Sequence, residues 1–394
     1  MLNSVFLLQI YSFILNVTSP FILFENRRLL DAPYAGLLFY EPCDEVVCWH
    51  SAKLDESLAR VDELRREGYY LAGCLSYEAG YVLHGLTALS KDTHDFPLLH
   101  FFAFKLPQKL TAFAINQYLG DADVLIDSIQ LNTSAAAYGQ AFNQIKHHIC
   151  RGDTYQVNLT AKYTFNFEGP PHGLYRQLRE RQQVAYSALM HMPGYDVLSL
   201  SPELFFSKIN TTMRAKPMKG TMPRAVDAVD DAANYEFLKT DPKSMAENTM
   251  IVDLLRNDIA AISKPGSVHV SRLLDVESYE TVHQMTSCIQ SEVERELSFA
   301  TIMQHLFPCG SITGAPKRRT MEIIRDLESE PRHIYTGAIG YITPENNMCF
   351  NVPIRTLLCR GAQGELGVGG GIVHDSTEQA EFEEMKLKAR FFTS

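Results

Sequence analysis

Strand-like stretches in this chain arrive in neighbouring groups, and that grouping constrains its fold more than any other feature of the sequence. Apolar or alternating segments cluster at 196–210 and 212–216, recur at 267–273, and cluster again at 335–343, 347–356 and 366–373. Parallel neighbours would need a crossover of roughly a dozen or more residues between every pair, and no steady strand–helix alternation supplies one. The pattern therefore predicts an α+β architecture with mainly antiparallel sheets. Helical periodicity fits 173–181, 233–259, 299–307, 315–328 and 377–391. One more helix begins after Ser134, a candidate N-cap, with Tyr138, Phe142, Ile145 and Ile149 on its apolar face. No internal repeat or low-complexity linker divides the chain, so a single body is expected. A seam near 107–135 separates an N-terminal region, 1–125, from the remainder, 135–394, with the first integrated into the same body.

The 394 residues are 46% hydrophobic, enough for a large core, and carry a formal charge of -10. That balance disfavours a nucleic-acid footprint and gives no reason to expect membrane-surface binding, which leaves a small-molecule ligand. Residues 1–24 are apolar, but polar residues interrupt them and no basic start or cleavage pattern frames them. They read as buried strands or an amphipathic hairpin, not a targeting segment. The eight cysteines are scattered without metal-ligand spacing and suit reduced thiols of a cytoplasmic protein.

Several short runs could carry chemistry. Lys219 lies in Lys216-Pro217-Met218-Lys219-Gly220-Thr221, where Pro217 fixes one φ and Gly220 allows a left-handed backbone. It reads either as a solvated turn lysine or as an amine aimed at something bound nearby. Glu203 follows Ser201-Pro202 between two apolar strand segments, a setting for a general acid or for a salt bridge. Glu247 stands beside the helical face formed by Met250, Ile251, Leu254 and Leu255, and an inward carboxylate needs a basic side chain or a metal ion. Glu381, Glu384 and Lys388 share one face of the last helix, either as a solvated ion-pair surface or as part of a site. Just upstream, Gly369-Gly370-Gly371 closes a strand with amides that can cradle an anion. Arg355 on an expected strand must meet a carboxylate or face a cavity, because its charge is permanent. Gly310-Ser311-Ile312-Thr313-Gly314-Ala315-Pro316-Lys317 departs from a phosphate-binding loop, and nucleotide binding is not expected.

In this order the motifs resemble the chorismate-utilising enzymes: the large subunits of anthranilate and aminodeoxychorismate synthases, and the isochorismate and salicylate synthases. The resemblance runs from about Ala135 to the C-terminus. It implies large antiparallel sheets packed together with helices outside, chorismate as substrate and Mg2+ as metal. Carried over by motif, Glu247 and Glu384 would bind Mg2+, with Glu381 as a further or water-mediated ligand. Arg355, Tyr335, Lys388 and the amides of Gly369, Gly370 and Gly371 would hold the substrate carboxylates, and Thr313 and Gly314 would line the pocket. Ser244 stands where many relatives have an additional acid.

Within the family, water-adding members have a lysine base where this chain has Gln156, and glutamine cannot serve as that base. Lys219 stands where anthranilate synthases usually have alanine and aminodeoxychorismate synthases have lysine. Gly73 to Gly80 also resembles the aminodeoxychorismate branch. The implied reaction joins ammonia to chorismate through a Lys219 adduct, giving 4-amino-4-deoxychorismate for 4-aminobenzoate and folate synthesis. Glu203 would protonate the departing hydroxyl. The attacking amine must be uncharged, which desolvation and neighbouring cations would favour. His283 matches a family histidine linked to proton removal in the anthranilate branch, with core packing as its other reading. No glutaminase cysteine is recognisable, so ammonia would come from a glutamine amidotransferase subunit. The alternatives are an anthranilate synthase large subunit and a catalytically silent regulatory subunit.

Overall fold

The computed structural model describes residues 19–27, 34–86, 95–279 and 282–393. Residues 1–18 of the apolar stretch 1–24 lie outside the described residues, while 21–24 form most of the largely buried strand Phe21–Glu25, as the buried-strand reading expects. Two antiparallel sheets face each other, and the helices lie around them. The first sheet runs Gly314–Ala315, Gln156–Glu168, Gln363–Ile372, Thr356–Arg360, Tyr195–Ser201, Tyr186–Met192, Phe21–Glu25, Gly36–Tyr40 and Gln108–Leu110, with Leu125–Leu131 also on Gln156–Glu168. The second runs Met218–Pro223, Val282–Glu292, Thr212–Lys216, Leu204–Ile209, Met348–Asn351, Ala338–Ile342, Tyr70–Leu75, Leu99–Phe104 and Asp44–Cys48, with His269–Ser278 also on Val282–Glu292.

Strands from before residue 125 sit inside both sheets: Phe21–Glu25 pairs with Tyr186–Met192, and Tyr70–Leu75 with Ala338–Ile342. The segment around 107–135 carries the chain from one edge of the first sheet, at Gln108–Leu110, to the strand Leu125–Leu131 near its opposite edge. Between the sheets a continuous core includes Leu71, Phe101, Phe206, Phe299, Phe350 and Leu366, all fully buried. The Phe206, Phe299 and Phe350 rings stack through its centre.

Local chemistry explains where the elements begin and break. The Ser134 hydroxyl accepts from the Ala137 amide at 3.1 Å and caps helix Ala135–Cys150, whose buried face includes Tyr138, Phe142 and Ile145. The helix expected over 233–259 is two helices, Ala228–Thr240 and Pro242–Ala260. The break follows from Asp241-Pro242: the residue before a proline is pushed out of the α region, and the Asp241 carboxylate caps the Ser244 amide at 2.9 Å. The apolar stretch 196–210 also divides, because Tyr195–Ser201 and Leu204–Ile209 belong to different sheets. Among the described residues no helix is long and apolar enough to cross a membrane. All eight cysteines are free thiols.

Candidate active site

The chain passes between the sheets at Ser201-Pro202-Glu203 and again at Val352–Arg355, and the two crossings are bonded to each other. The Leu200 amide donates to the Arg355 carbonyl at 3.0 Å, and the Val352 amide to the Glu203 carbonyl at 3.1 Å. The Ser201 hydroxyl adds a bond to the Val352 carbonyl at 2.6 Å. Neither crossing residue follows strand alternation. Glu203 is turned into the core, where the Ser311 hydroxyl donates to its Oε1 at 2.7 Å. Burial pushes its carboxyl up to about 7, against the opposing effects of the Ser311 bond and the Lys219 charge. A buried carboxyl that titrates near neutrality can hold a proton and release it, as a general acid must.

Lys219 lies on the edge strand Met218–Pro223, paired with Val282–Glu292. The register places Met218 opposite Thr286 and Thr221 opposite Gln284, so the lysine strand advances three residues while its partner advances two. That extra residue is a β-bulge, and Gly220 within it has φ +79°. The bulge turns Lys219 inward: its Nζ lies 3.5 Å from the Ser311 carbonyl, and its charge acts on Glu203, Glu247 and Glu384. Two further cations, Lys243 and Lys388, flank the same group of carboxylates.

Glu247 comes from helix Pro242–Ala260, while Glu381 and Glu384 come from helix Glu378–Lys388. Burial raises the Glu247 pKa, and Glu381 and Glu384 add to the rise. The Glu384 pKa is lowered chiefly by the Lys388 ammonium, which sits 2.9 Å from its Oε1. Glu381 is buried, and its Oε1 accepts from the Ser376 hydroxyl at 2.6 Å. The Lys243 ammonium stands 3.8 Å from both Glu247 Oε1 and Glu381 Oε1, occupying with its positive charge a position between the two carboxylates. Among the described residues no three Asp, Glu, His or Cys side chains converge tightly enough to hold a metal ion by themselves. The donor set is open and consists of carboxylate oxygens, which suits a hard ion that keeps several waters and takes further oxygens from a ligand. Ser244 packs against Gly220, where an added Cβ would lie 2.5 Å from its Oγ, so it borders the Lys219 bulge.

Of the groups expected to bind anions, the glycine strand and Lys388 adjoin these carboxylates. Gly369, Gly370 and Gly371 lie opposite Thr160, Leu159 and Asn158 at the C-terminal end of strand Gln363–Ile372, one residue before it closes. Pairing on the strand's other edge stops at Leu366, so beyond that point one edge lacks a ladder partner. A Cβ on Gly370 would lie 3.3 Å from Glu381 Oε2 and 3.5 Å from Lys388 Nζ, so the strand backbone directly adjoins both charges. Lys388 also donates to the Gly369 carbonyl at 3.0 Å. The amide of Gln156 is fully buried against Gly371, and neither its oxygen nor its nitrogen has a hydrogen-bond partner. A buried amide left this way is costly, and a bound polar ligand would satisfy it. Tyr335 packs its ring on Gly367, with burial raising its pKa.

Arg355 is not on a strand; it occupies a bend with φ 52° between Met348–Asn351 and Thr356–Arg360. Its Nη1 donates to Gln182 Oε1, and it lines a cavity with Pro202, Met218, Tyr279 and Gln284. The strand expectation failed because Val352 and Ile354 are apolar for a different reason: they pass through the core between sheets. Thr313 uses its hydroxyl on the Cys309 and Gly310 carbonyls at 3.2 and 3.3 Å, and so shapes its own turn. Gly314 has φ +147°, and an added Cβ would come within 1.9 Å of the Gln156 carbonyl.

His283 stands apart from this group. Its Nδ1 is 2.9 Å from the Ser278 hydroxyl and its Nε2 is 3.0 Å from Asp231, while the Tyr235 ring meets it edge-on. These contacts anchor helix Ala228–Thr240 to the second sheet. Two further residues organise the site without having been singled out in the sequence. Ser311 bonds Glu203, as described above. Arg332, buried under the Tyr77 ring, bonds the Ile312 and Asn158 carbonyls at 3.0 and 2.6 Å and pairs with Glu328 at 2.8 Å. The Glu78 carboxylate accepts from the Arg332 amide at 2.7 Å, so Tyr77 and Glu78 of the Gly73–Gly80 run support the site from outside it.

A family model described as chorismate binding enzyme matches residues 109–394. Aminodeoxychorismate synthase component 1 of Klebsiella aerogenes is 41% identical over 260 residues, covering 66% of this chain and 58% of that protein. Anthranilate synthase component 1 3 of Haloarcula marismortui is 38% identical over 255 residues, covering 65% of this chain and 51% of that protein. The matched stretch thus spans little more than half the length of these curated relatives. Among solved structures, anthranilate synthase component I of Streptococcus pneumoniae TIGR4 superposes with a TM-score of 0.77 at 24% identity, covering 92% of each chain, and shares the fold.

Proposed function

The chain belongs to the family of chorismate binding enzymes, and from that premise we propose that it converts chorismate and ammonia to 4-amino-4-deoxychorismate and water. The observation that carries this reading is Lys219, bulged out of an edge strand toward Glu203 and the carboxylates of Glu247 and Glu384. The Lys219 amine forms a bond to C2 of chorismate as the ring double bond shifts and the C4 hydroxyl leaves. Glu203 gives that hydroxyl its proton, so it departs as water. Ammonia then bonds to C4, the double bond returns, and the C2–nitrogen bond to Lys219 breaks. The proton lost by the incoming ammonia restores the balance of the site.

Arg355, Lys388, the Gln156 amide and the open strand edge at Gly369 to Gly371 orient the substrate carboxylates in this reading, with Tyr335, Thr313 and Gly314 shaping the pocket. Glu247 and Glu384, with Glu381 behind them, would hold Mg2+. When bound, the ion would neutralise a substrate carboxylate and take up negative charge now facing Lys219. Ammonia would be supplied by a separate glutamine amidotransferase subunit, and the product would feed 4-aminobenzoate and folate synthesis. The likeness to an anthranilate synthase component supports a second reading with amination at C2, against which Lys219 stands.

The test is Lys219→Ala assayed with chorismate, Mg2+ and ammonium salt. The proposal expects formation of 4-amino-4-deoxychorismate to fall by at least about 100-fold. An unchanged rate removes the covalent role, and direct formation of anthranilate by the unmodified protein favours the second reading.

A further inference from the structure

A β-bulge leaves main-chain groups outside the ladder, and something must hold them if the residue it displaces is to point one way. At the Lys219 bulge that role falls to the side chain of Gln284. Its Nε2 donates to the Gly220 carbonyl at 2.7 Å, and its Oε1 accepts from the Thr221 hydroxyl at 2.9 Å. Both ends of one buried amide are therefore engaged by the two residues that directly follow Lys219. On the other side Ser244 closes against Gly220, so the bulge is gripped from two elements. Gln284 also reaches the wall of the cavity that contains Arg355, Pro202 and Met218.

An apolar side chain of similar size would fill the same space but leave the Gly220 carbonyl without its side-chain donor. The packing requirement alone does not account for an amide oriented with its nitrogen to a carbonyl and its oxygen to a hydroxyl. We propose that Gln284 is the positioning residue for Lys219, fixing the bulge so that the amine approaches the substrate along one path. The inference rests on the reading of Lys219 as the nucleophile. A displacement of about 1 Å at an attacking atom can cost on the order of 100-fold in rate, while substrate binding through Arg355 and Lys388 need not change.

The experiment compares Gln284→Leu, Gln284→Glu, Thr221→Val and Lys219→Ala in the full chain, with chorismate, Mg2+ and ammonium salt. Gln284→Leu should lower kcat for 4-amino-4-deoxychorismate by about 10- to 100-fold with KM for chorismate within about twofold. Gln284→Glu should remain impaired, since an ionised carboxylate accepts from Thr221 but cannot donate to the Gly220 carbonyl. Thr221→Val keeps the Gly220 bond and should lose less, and it supplies the reading if Gln284→Leu does not fold. A fall in unfolding midpoint with kcat and KM both unchanged would show a structural role only and overturn the inference. If Lys219→Ala is inactive while the Gln284 and Thr221 variants turn over like the unmodified protein, the positioning role alone is overturned. If Lys219→Ala keeps the full rate, the nucleophile reading fails and the positioning role with it.

Discussion

Replacing Ser311 with alanine should move the pH dependence of turnover without removing any group that touches the substrate. Glu203 has to be protonated to discharge water, and burial sets its carboxyl near 7, so kcat should decline as pH rises through about 7. The Ser311 hydroxyl donates to Glu203 Oε1 at 2.7 Å and favours the ionised form. Hydrogen bonds to charged groups contribute about 1.5–3 kcal/mol, part of which the neutral acid also enjoys. A differential of about 1.4 kcal/mol corresponds to one pH unit, so Ser311→Ala should carry the alkaline limb from about 7 to about 8. The assay is kcat against pH at a fixed concentration of free ammonia, so that the protonation of ammonia itself does not shape the profile. Glu203→Gln should lose the limb and between about 10²- and 10⁴-fold in rate.

The same group leaves a mark on stability. Its folded pKa is raised, so its contribution is present in full below about 4.5, shrinks as pH rises through about 7, and amounts to about 3 kcal/mol in all. Urea unfolding at pH 5 and pH 8 should show that fall in the unmodified protein and not in Glu203→Gln. A limb that stays in place in Ser311→Ala, or persists in Glu203→Gln, refutes the assignment of Glu203 as the acid.

Two other perturbations probe the backbone and the metal. Gly314→Ala puts a Cβ 1.9 Å from the Gln156 carbonyl at a φ of +147° and should destabilise the protein by more than about 3 kcal/mol, read as a lower urea midpoint. EDTA should abolish turnover and added Mg2+ restore it, and Glu247→Gln should raise the Mg2+ needed for half-maximal rate by at least about 10-fold. An EDTA-resistant rate would remove Mg2+ from the proposal.

Local chemistry made part of the site legible. Lys219 and Glu203 stand beside Pro and Gly residues that disturb strand patterning, and such disturbances are visible along a few residues. The Asp241-Pro242 break was equally local and should have divided the 233–259 helix. Arg355 was misplaced because apolar neighbours in a sheet-crossing segment look the same as apolar neighbours in a strand. Ser311, Arg332 and Gln284 could not be found this way, since their partners are remote. Ser311 and Glu203 are separated by 108 positions, Gln284 and Gly220 by 64, and Arg332 and Asn158 by 174. The single-residue meaning of these polar groups comes only from long-range pairing.

The two crossings explain how the Glu203 carboxyl and the Arg355 guanidinium escape the sheet faces that pack on aromatic and aliphatic side chains. Strand alternation decides the direction of every side chain within a sheet, and in a sandwich half of those directions point into apolar packing. A residue between sheets is free of that constraint, but its backbone groups leave the ladder and need other partners. Here each crossing satisfies the other, through Leu200 to Arg355, Val352 to Glu203 and Ser201 to Val352. The cost of exposing polar backbone is met once for both, and the side chains of Glu203 and Arg355 are left for ligand chemistry. Lys219 reaches the same space by the other available route, a bulge on an edge strand. In a two-sheet fold of this kind, functional polar groups are therefore expected where regular pairing is interrupted, and the interruptions are held by residues such as Ser201 and Gln284 that need never touch the substrate.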